Sequence, residues 1–146
     1  MDSIEQIPGG SVFGGVHVQL AGTPFPSADW TDFVVVVLGW WCESLAMIAE
    51  EPTQARDVRF MEGPFLVKLV PIADSRILVS PVDTSAAVAA TGTIEVALAS
   101  LMRTTLKASR EILDACGARG WSSRDIEQLS ANRDLLARAY GKAALN

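Results

Sequence analysis

The apolar positions change their period along the chain, and each change predicts an element. Ser11 to Ala21, SVFGGVHVQLA, alternates, with Val12, Val16, Val18 and Leu20 on one parity. That predicts a strand, with Gly14-Gly15 as a bulge or bend inside it. Gly22 to Pro26, GTPFP, ends it.

The next run is apolar almost all round. Phe33, Val36, Val37, Trp40, Trp41, Ser44, Met47 and Ile48 recur at helical spacing, and Asp29 or Asp32 stands where a cap is needed. The valines favour a strand instead. One strand of this whole length is too long, so a helix is expected over at least Leu38–Glu50, with Val34–Val37 open between helix and strand. A membrane span needs about 18–20 predominantly apolar residues. Phe33–Ala49 is shorter and contains Glu43 and Ser44, so the segment is expected at the centre of a core. Core packing of both Trp40 and Trp41 is the simpler reading. They point to different sides of a helix, so the other reading puts one at the surface as an anchor for a partner.

Beyond Pro52 the period falls to two. Arg56–Met61 and Phe65–Val70 read as strands joined by Glu62-Gly63-Pro64. Pro71–Ser75 reads as a turn, and Arg76–Ser80 as a third strand closed by Pro81. From Thr91 the period lengthens to 3.6. Ile94, Leu98, Leu101, Thr105, Ala108, Ile112 and Ala115 form one stripe, widened by Met102, Leu106, Leu113 and Cys116, and Gly117 is the natural stop. Lys107 with Glu111 and Arg110 with Asp114 are expected pairs on its wet side. Ser122-Ser123-Arg124-Asp125 matches a capping box. It opens a last helix with Ile126, Leu129, Leu136 and Tyr140 on one face, ending near Gly141. The expected fold is α+β: a small antiparallel sheet of about four strands, helices on one face, and two C-terminal helices, as one domain over 1–146.

Composition narrows the function. Apolar residues make up 49% and charged residues 20%, which excludes a disordered chain. The net charge of −5 is unevenly placed. Residues 1–62 carry nine acids against Arg56 and Arg59, whereas 101–146 carry eight bases against five acids. An acidic chain is poorly suited to gripping a nucleic-acid backbone or an anionic membrane. Arg103, Lys107 and Arg110 share a helical face, but no aromatic residue interleaves with them, so a solvated face is the simpler reading. Met1–Gly10 has neither a basic nor an apolar stretch, so no secretory signal is expected and the cytoplasm is the expected compartment.

The residues of chemistry are sparse. The single histidine, His17, alternates with Val16 and Val18 and is expected on the wetter face of a strand. Cys42 and Cys116 have no histidine near them in sequence, and Cys116 lies near a helix C-terminus, which disfavours a thiolate. They are expected reduced and buried. No nucleophile elbow, zinc spacing, calcium loop or phosphate-binding glycine pattern is present. Gly9-Gly10 and Gly14-Gly15 read as turn and bulge. No enzyme activity, cofactor or metal is expected.

Two phrases in the middle of the chain carry a resemblance. The first runs from Asp32-Phe33 to Val37-Leu38-Gly39-Trp40-Trp41. The second is Arg59-Phe60-Met61-Glu62-Gly63-Pro64-Phe65. Together they resemble small bacterial immunity proteins encoded beside polymorphic or contact-dependent growth-inhibition toxins. The resemblance spans Trp30 to Val70. Its most specific piece is the Phe-Met-acid-Gly-Pro-aromatic stretch, where the family pattern more often has Asp at the position of Glu62. That stretch marks a hairpin and so reports fold, not contact residues. The resemblance implies a non-catalytic protein that binds a cognate toxin domain, such as a basic nuclease, as a monomer or weak homodimer. From charge alone, the expected partner-binding residues are Glu43, Glu50, Glu51, Asp57 and Glu62. The competing readings are a small-molecule-binding regulatory module, with a pocket lined by Trp40 or Trp41, and a structural or assembly subunit.

Overall fold

The structure, a computed structural model, describes residues 4–6, 10–86 and 92–144. In chain order the strands β1 (Glu5–Gln6), β2 (Val12–Gly15), β3 (Val18–Leu20), β4 (Thr23–Phe25) and β5 (Thr31–Asp32) precede helix α1 (Val34–Glu50). Strands β6 (Arg56–Arg59), β7 (Phe65–Ile72), β8 (Arg76–Asp83) and β9 (Ile94–Ala97) follow, then helices α2 (Leu98–Ala118) and α3 (Arg124–Ala144). The class is α+β, with two C-terminal helices. The β6-β7-β8-β9 sheet is antiparallel, and two small sheets, β1-β2-β5 and β3-β4, stand apart from it.

The four-stranded sheet buries the centre of one face. Val58, Val67, Leu69, Ile77 and Val79 belong to the core cluster that also holds the buried residues of α1. Helix α1 touches α3, α2, β6 and β2, which makes it the hub of the molecule. Its valines are helical because burial on several sides outweighs the β-branched penalty. Val34, Val35 and Val37 are 2% exposed or less. Each such burial is worth about 1.5 kcal/mol or more, against about 0.5 kcal/mol of helix propensity. The cap differs from expectation. Phe33 is the N-cap residue and no side chain caps the helix, while Asp32 sits one position earlier with another task.

Several boundaries move, each for a physical reason. The first expected strand is two strands, β2 and β3, in different sheets, with Val16-His17 between them. Strand β4 forms from the GTPFP stretch, where Ala21 and Gly22 at positive φ make the turn that pairs it with β3. Strands β7 and β8 run through Pro71 and Pro81. Neither proline lacks a ladder partner it needs: β6 pairs only with Leu66–Leu69 of β7, and β9 only with Arg76–Val79 of β8. The turn between them narrows to Ala73–Ser75, with Asp74 and Ser75 at positive φ.

Ile94 is not helical; Ile94–Ala97 pairs with β8 as β9, and α2 begins at Leu98. Thr91, where the sequence pattern starts that helix, lies outside the described residues, as does Gly9. Helix α2 continues past Gly117. The stop is Gly120, at φ +69, where Trp121 donates its N–H to the Cys116 carbonyl and Gly120 to that of Gly117. Helix α3 is capped by Ser123 rather than Ser122: its Oγ accepts the Ile126 N–H at 3.2 Å. Asn132 is 5% exposed in the middle of α3. It donates Nδ2–H to the Gly39 carbonyl at 3.2 Å and accepts from Gln128. Gly39 is where the two helices approach closely: a Cβ there would stand 4.0 Å from Leu129 Cα.

Candidate functional site

Most positions of α1 are buried, which leaves it one solvent-facing stripe. Trp40, Glu43, Met47 and Glu50 stand three, seven and ten residues along, the spacing of one helical face, and all four are exposed. Trp40 is 37% exposed and Met47 41%, whereas the adjacent Trp41 is 6% exposed. A core helix that turns outward only once thus presents two large apolar side chains alternating with two carboxylates. Met47 departs from the expected buried stripe. The signal was in the sequence: Met47 shares its face with Glu43 and Glu50.

The C-terminal end of this stripe gathers further charge. Glu51 is the C-cap residue, and its N–H is donated to the Met47 carbonyl. Met47, Ile48, Glu50, Glu51, Gln54 and Arg56 line a shallow depression of about 90 Å³ there. Glu50 and Glu51 stand at the negative end of the helix dipole, and the last turn has no basic residue. Acids at that end oppose stability. Arg56 lines the same depression but is ion-paired to neither acid, and a local rule broken at a surface is the kind of feature that function explains.

All five sequence-derived acids, Glu43, Glu50, Glu51, Asp57 and Glu62, are exposed, but they do not form one patch. Glu43, Glu50 and Glu51 share α1 and its end. Asp57 projects from the opposite face of the sheet to Val58, directly across from Lys68 on β7. Glu62 lies in the β6–β7 connection, whose backbone is tied to Asp32 beside the start of α1. That is about 25 Å, the length of α1, from Glu50.

The other reactive side chains are placed for packing. Cys42 and Cys116 are free and buried. Burial pushes both thiols up in pKa, and the Cys42 Sγ lies 3.2 Å from the Ser109 Oγ. His17 is exposed in the β2–β3 connection, its Nε2 3.1 Å from Gln19 Nε2. Among the described residues, no three His, Cys, Asp or Glu side chains converge as metal ligands would. Likewise, no helix is long and apolar enough to cross a membrane. The expected Lys107–Glu111 and Arg110–Asp114 contacts are not made. The one ion pair among the described residues joins Arg76 to Glu95 at 2.6 Å. Comparison with known protein families, curated proteins and solved structures finds no match.

Proposed function

We propose that this chain is a non-catalytic binding protein of the immunity class, held in the cytoplasm, that neutralises a cognate toxin domain in a one-to-one complex. The observation that carries the reading is the α1 stripe, on which exposed Trp40 and Met47 alternate with Glu43 and Glu50. Exposed Trp is enriched among residues that dominate binding energy, and Met adapts to irregular partner surfaces. Carboxylates beside such anchors speed encounter with a basic partner and reject acidic ones. Glu51 extends this acidic rim. Asp57, beside Lys68, and Glu62, at the other end of α1, are left out of the contact. The resemblance over Trp30–Val70 supports the class, and its residues serve the fold that holds α1 in place.

The experiment is a tagged pull-down from the native organism at low and high salt, followed by binding measurements on the partner recovered. A single stoichiometric partner with a basic surface is expected. Trp40→Ala should then weaken the complex about 30-fold or more, the effect of losing a hot-spot side chain. Reversing Glu50 and Glu51 to Lys should slow association and flatten its salt dependence, while Asp57→Lys should do neither. No partner under conditions where the neighbouring genes are expressed would overturn the reading. A partner indifferent to Trp40, Glu50 and Glu51 would overturn the surface.

A further inference from the structure

The helical pair at the C-terminal end carries a second feature, which shares no residue with the α1 stripe. An open groove of about 250 Å³ lies between α2 and α3, lined by Arg110, Leu113 and Asp114 from α2 and by Arg133 from α3. Arg133 is half-buried. Its Nε–H is donated to the Leu106 carbonyl at 3.2 Å, so one edge of the guanidinium is pinned to α2. Its two Nη groups have no hydrogen-bond acceptor among the described residues, and neither Arg133 nor Arg110 has a carboxylate within 4.0 Å. Leu106 and Arg110 are one helical turn apart, so the pinned guanidinium and the exposed Arg110 flank the same opening.

Arg119 also donates to a helix carbonyl, but it is exposed, whereas Arg133 is half-buried. A cation drawn partly out of water is costly unless an anion meets it. Arg133 reaches close enough to the buried Cys42 thiol to lower its pKa against the rise that burial imposes. The groove therefore holds a fixed donor pair, a second cation at its mouth, an apolar wall at Leu113, and one carboxylate. With two arginines and Asp114, its formal charge is +1. That favours a monoanion over a dianion. The planar fork of a guanidinium matches the two oxygens of a carboxylate.

We infer that the α2–α3 groove is a binding site for a small monocarboxylate, held by the free Nη edge of Arg133 and by Arg110. Asp114 tempers the site and sets its preference for a single negative charge. The hydrogen bond from Arg133 to the Leu106 carbonyl holds the guanidinium in place before a ligand arrives.

The test follows the arginine Nε–H signals of the full-length protein by NMR during titration with sodium acetate, with sodium phosphate and sodium chloride at matched ionic strength. A saturable shift of Arg133 and Arg110 with acetate, weaker with phosphate and absent with chloride, is expected. Arg110→Gln, an exposed change that leaves the fold intact, should weaken acetate binding about tenfold, the loss of one charge-assisted contact. Asp114→Asn should tighten it. Equal, non-saturating shifts with all three salts would overturn the site. So would loss of acetate binding in Asp114→Asn, which would mean that the groove depends on its own carboxylate. Phosphate binding tighter than acetate would overturn the assigned ligand class.

Discussion

Glu62 donates its backbone N–H to Oδ2 of Asp32 at 3.0 Å, across 30 residues of sequence. The same carboxylate accepts the N–H groups of Met61 at 3.2 Å and Phe33 at 2.6 Å, and the indole Nε1–H of Trp30 at 3.1 Å. Asp32 is fully buried. One side chain therefore ties the entry of α1 to the β6–β7 connection. Asp32-Phe33 and Met61-Glu62 are the two halves of this clasp. Only the backbone of Glu62 takes part and its side chain is exposed, so Glu and Asp are equally serviceable there.

Asp32→Ala takes the acceptor away from three backbone N–H groups and an indole at a part-buried junction. Each unsatisfied donor costs about 1–3 kcal/mol, so a loss of about 3 kcal/mol or more is expected in urea unfolding. Asp32→Asn keeps one acceptor oxygen and should fall between that and wild type. Met61→Ala removes an exposed side chain but keeps the N–H, and should stay within about 0.5 kcal/mol. A loss below about 1 kcal/mol for Asp32→Ala would show that the clasp does not hold the fold.

Gly63→Ala tests the same junction from the other side. Gly63 has φ +70, and a Cβ there would stand 2.9 Å from Trp30 Cη2 and 3.1 Å from Phe65 Cδ2. Trp30 and Phe65 pack edge to face at 5.2 Å, so neither ring can give way freely. The left-handed backbone alone costs about 1 kcal/mol or more for an L side chain. A total of about 2 kcal/mol is expected, together with altered near-ultraviolet circular dichroism as the aromatic cluster shifts. Wild-type stability would refute the contact.

How much was legible follows from range. The alternation in Val58, Val67, Leu69, Ile77 and Val79, and the 3.6 period from Leu98 to Cys116, are local signals, and they placed the meander and α2. What long-range packing decides was not legible. The valines of α1 favour strand by propensity and are helical because the core surrounds them. Residues Ile94–Ala97 continue the helical stripe in sequence but are claimed by β8. Asn132 gave no signal because its partner is a carbonyl 93 residues away. At the candidate site, charge found the exposure of five acids. It could not find their grouping, because strand parity sends Asp57 away from α1 and the Asp32 clasp holds Glu62 at the far end.

Gly39→Ala should be neutral or stabilising, by up to about 1 kcal/mol, against the usual expectation for a buried glycine. An added Cβ would meet Asn132 Nδ2 at 3.7 Å and Leu129 Cα at 4.0 Å, which is ordinary contact. The helix then gains Ala's propensity while the Asn132 bond to the Gly39 carbonyl persists. Gly39→Leu has no such room and should destabilise by about 1–3 kcal/mol, because it forces α1 and α3 apart. Thermal melts of the two variants should therefore move in opposite directions. A fall for both would show that α3 lies closer than this geometry allows.

The thiols should be silent in the native state. Cys42 and Cys116 are buried, and burial raises both pKa values above the ordinary thiol value. A raised folded-state pKa means that the fold favours the neutral thiol. The stability this contributes is fully present below the unfolded pKa of about 8.5, and it is lost as pH rises through the folded values. Stability should therefore decline above about pH 8.5 in wild type, and less steeply in Cys42→Ala/Cys116→Ala once its lower baseline is allowed for. Labelling with a thiol reagent at neutral pH should be slow in buffer and complete in denaturant. Rapid labelling of the native protein would contradict the burial.

Trp40 and Trp41 are adjacent, identical in type, and should behave as opposites. Trp41 is 6% exposed and packs in the core, so Trp41→Ala should cost about 3–5 kcal/mol through lost burial and a cavity. Trp40 is 37% exposed on the outer stripe of α1, so Trp40→Ala should cost about 1 kcal/mol or less. Its quenching should be equally distinct: acrylamide should reach Trp40 first, so Trp40→Phe should lose the more accessible part of the emission. The pair also separates folding from binding. A stable Trp40→Ala protein that no longer holds its partner would place the anchor on α1. Equal destabilisation by both substitutions would mean that Trp40 is a core residue and the stripe is not a docking surface.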